Sequence, residues 1–233
     1  MDIPGWFDPA SPEPAPTDFA AREVNQFNWD NNPDFLFGFF GRFELEQRAG
    51  GNFSWNTGVD YRVQLSHSSD LAEVQGLYTA AGLDLNQDLD ALNSARRIAA
   101  TSGPVAYLTK YIAYDGNLPL PVLTLHTTGD GLVEVTDENA YASVVRSEGD
   151  NSQLRQVFVH RAGHCTFTPA ETITAFRTLI HRLDTGRWEA STNPATMNAA
   201  ATAMGLPFNG AAASFIVFQP DRFLRPFDAR NAA

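Results

Sequence analysis

Two short loops of this chain carry the residue types that proton-transfer chemistry requires. Asp130 stands between two glycines in the loop 127–131, and His164 follows a glycine in the loop 161–164. A histidine near its ordinary pKa of about 6.5 can take a proton from a hydroxyl group and return it to a leaving group. A buried carboxylate on the other ring nitrogen fixes the tautomer and stabilises the imidazolium. The two loops therefore predict an acid and a base, Asp130 and His164, if the fold brings them together.

Each of these residues, taken alone, has a simpler interpretation. A Gly-Asp-Gly tripeptide is most often a turn, and a single histidine in a loop is most often an ordinary polar residue. The joint occurrence favours function, because Asp130 and His164 each follow a predicted strand by a few residues. The glycines beside them permit the tight turns that such placement needs.

Two neighbours of the predicted base offer rival chemistry. His160 and His164 are four residues apart, a spacing that suits a metal only on a helix, and Gly163 and the preceding strand argue against a helix there. We therefore predict no metal and no cofactor. Cys165 follows the base directly, and a neighbour in sequence usually points away, so it is interpreted as a small buried residue and not as a nucleophile.

The elements that must position the pair alternate in type along the second half of the chain. Short apolar runs predict two buried strands, Val122–His126 and Leu154–His160. Helical periodicity predicts a helix after each strand, over Asp137–Val145 and over 169–183. Such alternation indicates parallel strands with helical crossovers. Functional groups gather at the carboxyl ends of parallel strands, so the two loops are expected to lie side by side.

The last of these helices has the clearest signals. Thr168, Pro169 and Glu171 predict a capping box with a proline in the first turn, and Gly186 marks the end of the helix. Its predicted apolar face consists of Ile173, Phe176, Leu179, Ile180 and Leu183.

The first half of the chain reads as mainly helical. Apolar periodicity predicts four helices. One begins at a capping box, Asp70–Glu73, and ends at Gly82, and the others cover Pro33–Ala49, Asn86–Ala100 and Pro104–Ala113. The sequence thus divides into an irregular Pro-rich segment (1–32), a helical region (33–117), an α/β segment (118–187) and an Ala-rich helix with an irregular extension (188–233). A further strand is possible at Ser214–Phe218.

The segment 118–187 resembles the C-terminal portion of α/β-hydrolases. The likeness rests on Pro121–Val133, which is similar to their acid-bearing segment, and on Arg161–Thr168, which is similar to their histidine loop. The resemblance is closest to bacterial serine hydrolases with a helical cap, in which the triad runs Ser, Asp, His along the chain. It implies an α/β fold class, with the last parallel strands and crossover helices preceded by a cap over 33–117. It also implies a small-molecule ester or amide as the substrate.

The family's nucleophile, a serine in Gly-x-Ser-x-Gly between a strand and a helix, has no match. The serines tested lack glycines at the required positions: Ser54, Ser66, Ser102, Ser143 and Ser214. Two or three strands are also too few for a stable doubly wound sheet. We therefore expect a fragment, a truncated product or one half of a split enzyme, whose partner is an N-terminal hydrolase segment that carries the nucleophile. The alternative is a non-catalytic, hydrolase-like binding or regulatory module.

Composition excludes some partners. The chain has 16 basic and 27 acidic residues, a formal net charge of −11, which disfavours contact with phosphate backbones. No apolar run is long enough to predict a membrane span, and Met1–Thr17 lacks the basic and apolar regions of a signal peptide. The single cysteine excludes an internal disulfide and leaves the compartment open.

Overall fold

The structure, a computed structural model, describes residues 6, 8, 10–188 and 192–225, without the side chains of residues 34, 35 and 206. The chain forms two compact units. The first contains residues 13–113 with short terminal segments, and the second contains Trp6–Pro12 and Tyr114–Arg222.

The first unit is helical, as predicted. Its helices are α1 Phe19–Asp30, α2 Pro33–Ala49, α3 Tyr61–His67, α4 Leu71–Ala81, α5 Leu85–Ser94 and α6 Ser102–Tyr111. Helix α2 has the predicted bounds, and α6 lies within two residues of its predicted bounds. None of the described helices of the chain is long and apolar enough to cross a membrane.

Helix α1 corrects the expectation that residues 1–32 are irregular. The prolines that disfavour a helix end at Pro16, and the Asp18 side chain then accepts a hydrogen bond from the Ala21 N–H, which caps α1. Trp29 anchors the helix, since its side chain is only 3% exposed.

Two further details in this unit differ from the prediction. Asp70 makes no side-chain cap at α4, so the expected capping box is wrong; its carboxylate instead lies 3.4 Å from Arg22. The helix predicted over Asn86–Ala100 ends at Ser94. Beyond that point the Ile98 N–H donates to the side chain of Asn56, a contact that replaces the helical hydrogen bonds.

The second unit contains the predicted pair of parallel strands. Its elements are β1 Val122–Gly129, α7 Thr136–Glu148, β2 Leu154–Ala162, α8 Pro169–Thr185, α9 Pro194–Thr202, a 3-10 helix Leu206–Phe208 and β3 Phe215–Ile216. The sheet order is β1-β2-β3, with β1 parallel to β2 and β3 antiparallel to β2. The described part of the chain is thus a mixed α/β protein with a small three-stranded sheet.

The core of this unit lies between one face of the sheet and helices α8 and α9. It consists of Val157, Val159, Ala170, Ala175, Met197, Ala201 and Phe215, with Leu123 and Leu125 packed against it. The side chains of a strand alternate between its two faces, so the odd-numbered residues of both parallel strands point toward these helices.

Helix α8 confirms its predicted start and reverses its predicted apolar face. Thr168 and Glu171 form the capping box, and Gly186 ends the helix in a left-handed conformation. The buried face, however, is small or polar: Ala170, Glu171, Thr174, Ala175 and Thr178. Phe176, Ile180 and Leu183 are exposed instead. Small side chains allow the helix to lie close to the sheet, and larger residues would hold it away.

Candidate active site

Asp130 and His164 meet at the carboxyl ends of the two parallel strands. Asp130 follows β1 directly, and His164 stands two residues beyond the end of β2. The His164 Nδ1 lies 2.8 Å from the Asp130 Oδ2, a hydrogen-bond distance. The expected contact between the two side chains is confirmed.

The Asp130 carboxylate is buried and fixed in orientation. Its side chain is 4% exposed, and Oδ1 accepts hydrogen bonds from the backbone N–H groups of Leu132 at 2.9 Å and Val133 at 3.0 Å. One carboxylate oxygen is therefore held by the turn that follows β1. The other oxygen, Oδ2, is directed at the imidazole.

This contact sets the tautomer of His164. An ionised carboxylate only accepts hydrogen bonds, so Nδ1 must carry the proton. In the neutral ring the lone pair is then on Nε2, the atom that a general base uses. The side chain is 34% exposed, and the Cys165 Sγ lies 3.6 Å from Nε2, so a reacting group has to approach this nitrogen beside the sulfur.

Cys165 occupies the space next to that nitrogen. Its Sγ lies 3.6 Å from the His164 Nε2, and the residue is exposed, with a φ of 53°. The interpretation of Cys165 as a buried residue is wrong. Partial desolvation of the sulfur, together with the nearby charge of Asp130, raises the pKa of the Cys165 thiol, so the reactive thiolate is disfavoured. An activated cysteine nucleophile has a lowered pKa, so Cys165 does not have this property.

A bulge at the ends of the strands places the histidine loop. Between the pairs Thr127–Val159 and Gly129–Ala162, β1 advances by two residues and β2 by three. Such an insertion bends a strand and changes the direction of the residues that follow it. Gly129 allows the close approach, because a Cβ at that position would be 2.9 Å from the Ala162 Cα.

Main-chain contacts then hold the histidine loop against β1. The Gly163 N–H donates to the Gly129 carbonyl at 2.9 Å, and the Thr127 hydroxyl donates to the Gly163 carbonyl at 2.7 Å. Gly163 has a φ of 92°, a conformation that other residues rarely adopt. A Cβ there would also be 2.8 Å from Thr166 Cγ2.

A buried ion pair closes the loop from the other side. Glu171, fully buried, accepts hydrogen bonds from Arg161 Nη1 at 2.6 Å and Nη2 at 3.0 Å. Arg161 also donates to the Thr166 carbonyl at 2.8 Å, and the Thr168 N–H donates to Glu171 at 2.7 Å. The ion pair thus connects the end of β2, the middle of the loop and the start of α8.

The charge state of Glu171 reflects two opposed effects. Burial by itself raises the pKa of Glu171, but the hydrogen bonds from Arg161, Thr168 and Ser214 outweigh it, so the pKa lies below its ordinary value. The carboxylate is therefore ionised at neutral pH.

The sequence does not predict this ion pair, because its patterns place Glu171 in a capping box and Arg161 in a loop. In the structure Arg161 is the penultimate residue of β2. The signal available was the alternation Val157, Val159, Arg161, which puts a charged residue on the buried face and requires a buried partner.

The remaining candidates lie elsewhere. His160 contacts the Thr128 hydroxyl at 3.3 Å and stacks near Trp6, with ring centroids 5.2 Å apart. In residues 6, 8, 10–188 and 192–225, no group of three or more His, Cys, Asp or Glu residues is arranged to hold a metal ion.

None of the serines tested is hydrogen-bonded to His164 in the part of the chain that the structure describes. Ser54 accepts a hydrogen bond from Arg42 at 2.6 Å, Ser66 donates to the Val63 carbonyl, and the Ser214 N–H donates to Glu171. The site therefore contains a base and its acid, with no serine as its nucleophile among these residues.

Comparison with known proteins gives one similarity. The chain is 36% identical over 166 residues, 70% of its length, to a protein named o-phthalyl amidase from Xanthobacter agilis. It spans only about a third of that relative, 36% of its length. No protein-family model and no solved structure matches the chain. The similarity suggests a hydrolase function of the amidase type.

Proposed function

We propose that this chain supplies the acid and the base of a serine-dependent amidase, whose nucleophile is carried by a separate segment. The observation that supports this most strongly is the hydrogen bond from His164 Nδ1 to the buried Asp130 at 2.8 Å. The other Asp130 oxygen accepts hydrogen bonds from backbone N–H groups, and the His164 side chain is 34% exposed. This is the arrangement that a general base requires.

The reaction would proceed in two halves. In the first, His164 Nε2 takes the proton of the serine hydroxyl while its oxygen bonds to the carbonyl carbon. Asp130 stabilises the resulting imidazolium. The imidazolium then gives its proton to the amide nitrogen, the C–N bond breaks, and the amine leaves. In the second half, His164 takes a proton from water as the water oxygen bonds to the acyl carbon. The imidazolium then gives this proton to the serine oxygen as the acyl C–O bond breaks, which releases the acid and restores the serine hydroxyl.

The choice of an amide rests on the relative and on the chemistry of the leaving group. An amine is a poor leaving group unless it is protonated as the C–N bond breaks, and a positioned histidine supplies that proton. The relative is named for cleavage of an o-phthalyl amide. We infer the same class of bond for this chain.

A chimera tests this function. In it, this chain replaces the 166 matched residues of the Xanthobacter agilis amidase, and hydrolysis of an o-phthalyl amide is measured. We expect His164→Ala to lower kcat by about 10⁴-fold or more while the chimera stays folded. His160→Ala is the matched control and should retain activity. A folded His164→Ala chimera that keeps more than about a tenth of the activity would exclude His164 as the base.

A further inference from the structure

The two side-chain atoms that face each other beside the base are both of a kind that binds metal ions. The His164 Nε2 and the Cys165 Sγ lie 3.6 Å apart, and both residues are exposed. A neutral imidazole nitrogen and a cysteine sulfur are ligands that Zn²⁺ and softer cations prefer, whereas Mg²⁺ and Ca²⁺ prefer oxygen. The pair is therefore suited to a thiophilic cation if the distance between the two atoms fits.

The distance between the two atoms fits a single ion bound to both. A Zn–S bond is about 2.3 Å long and a Zn–N bond is about 2.0–2.1 Å long, in a tetrahedral arrangement. Two such ligands of one ion are therefore about 3.5 Å apart. The observed separation of the His164 Nε2 and the Cys165 Sγ is 3.6 Å, so neither side chain has to move far to bind the same ion.

Asp130 provides an observation that does not involve the cysteine. A histidine that binds a metal ion usually donates its other ring N–H to a carboxylate, which fixes the ring and makes the binding nitrogen more basic. The His164 Nδ1 lies 2.8 Å from the Asp130 Oδ2, and the Asp130 side chain is only 4% exposed. The imidazole is thus already oriented and polarised as a metal ligand requires.

We propose that Cys165 and His164 bind one Zn²⁺ or similar thiophilic divalent cation, and that this ion inhibits the enzyme. Sγ and Nε2 each give an electron pair to the ion, and water takes the two remaining tetrahedral positions. The thiol loses its proton to water in this step, so one proton is released for each ion bound. The oxidation states of the sulfur and of the metal do not change.

The bound ion and the catalytic proton compete for the same electron pair. A general base needs the lone pair of the His164 Nε2 to accept the proton of the nucleophile. With a cation on that nitrogen, His164 cannot take the proton, and hydrolysis stops until a chelator removes the ion. Inhibition rests on the proposed function, whereas binding of the ion to the chain does not.

Titration of the isolated chain with Cd²⁺ tests the binding without any activity. Cd²⁺ prefers the same ligands, and its thiolate complexes absorb in the ultraviolet through charge transfer from sulfur to the metal. We expect this absorption to saturate at one ion per chain and to be absent in Cys165→Ser. His164→Ala should keep the thiol but weaken the binding of Cd²⁺ by about tenfold or more.

His160→Ala is the matched control for the histidine. His160 precedes His164 by four residues, contacts the Thr128 hydroxyl and stacks near Trp6, so its removal should leave the affinity for Cd²⁺ unchanged. An affinity that His164→Ala leaves unchanged would assign the ion to the cysteine alone and overturn the proposal. Absence of the charge-transfer absorption in the parent chain would do the same, as would sedimentation of a dimer that shares one ion.

Inhibition of the amidase chimera by Zn²⁺ tests the consequence. We expect Zn²⁺ to inhibit hydrolysis of the o-phthalyl amide, and Cys165→Ser to raise the concentration needed for half inhibition by about tenfold or more. Equal sensitivity of the parent chimera and of Cys165→Ser would place the inhibitory ion elsewhere and overturn the proposal. A folded chimera that hydrolyses no amide would refute the proposed function, and the titration of the isolated chain would still decide whether the pair binds the ion.

Discussion

At the scale of single residues, the site depends on the Asp130 carboxylate, whose two oxygens have different hydrogen-bond partners. One Asp130 oxygen is held by two backbone N–H groups, and the other is 2.8 Å from His164. This fixes the imidazole without a second side chain. The charge of Asp130 also raises the pKa of the Cys165 thiol, whose sulfur lies 3.6 Å from the His164 Nε2. The reactivity of the Cys165 thiol therefore depends on the charge of Asp130 even in the isolated chain.

Alkylation of Cys165 measures that effect. Burial and the charge of Asp130 both raise the pKa of the thiol, so its thiolate fraction at a given pH is below that of a free cysteine. We expect iodoacetamide at pH 8 to react more slowly with Cys165 than with N-acetylcysteine, and faster with the Asp130→Asn variant than with the parent chain. Asp184→Asn, an exposed carboxylate on α8, is the control. A rate that Asp130→Asn leaves unchanged would show that the charge does not act on Cys165.

Gly163 is the residue whose backbone the histidine loop depends on most. Its φ of 92° and the 2.8 Å approach of Thr166 to a Cβ both oppose a side chain. Gly163→Ala is expected to destabilise the fold by about 1–3 kcal/mol. Gly210→Ala, where a Cβ meets nothing within 4 Å, is the control. Thermal unfolding of both variants checks the difference, and equal melting temperatures would refute the strain argument.

At the scale of elements, the Arg161–Glu171 ion pair connects the end of β2 to the start of α8. Removal of one partner leaves the other buried without compensation. Glu171→Gln should therefore lower the free energy of unfolding by about 3–5 kcal/mol, measured by urea denaturation. Glu44→Gln, in the exposed pair with Arg48, is the control and should have no measurable effect. A Glu171→Gln variant as stable as the parent would mean that the ion pair does not hold the loop.

The same ion pair gives a pH dependence with a defined sign. The pKa of Glu171 is below its ordinary 4.5 in the folded chain, so its contribution is fully present above that pH. It is lost as the pH falls through the lower, folded value. Glu171→Gln should remove this part of the acid sensitivity, so the stability difference between parent and variant should shrink below about pH 4.5. A difference that stays constant down to pH 3 would contradict the assignment.

The elements also show what the sequence could predict and where it failed. Strand-loop-helix alternation was enough to place Asp130 and His164 side by side, because parallel strands leave few alternatives for adjacent loops. Periodicity predicted the apolar stripe of α8 but placed it toward the core, whereas the stripe faces outward. The alanine and threonine residues of the opposite face pack against the sheet instead, because they allow a closer approach. The sequence did not predict helix α1, because the prolines up to Pro16 favoured irregular structure and the cap at Asp18 was given no weight. The direction of the α8 stripe depends on tertiary contacts, which no local pattern contains, whereas the cap at Asp18 is a local contact with the Ala21 N–H.

At the scale of the whole molecule, we propose that this chain contributes the acid and the base of an active enzyme. The interpretation of residues 33–117 as a cap and of 118–187 as part of a hydrolase core remains a proposal. The chain spans about a third of its amidase relative. In the part of the chain that the structure describes, Ser54, Ser66, Ser143 and Ser214 have hydrogen-bond partners other than His164. The sequence itself shows that Gly-x-Ser-x-Gly is absent, and the proposal of a separate segment with the nucleophile rests on this absence.

Chemical rescue of the base tests the central claim most directly. In the amidase chimera, His164→Gly removes the imidazole and leaves Asp130 in place. We predict that activity falls by about 10⁴-fold and that added imidazole, which fits the vacated space, restores part of it in proportion to its concentration. The double variant His164→Gly, Asp130→Asn should be rescued more weakly. A folded His164→Gly chimera with undiminished amide hydrolysis would show that His164 is not the base.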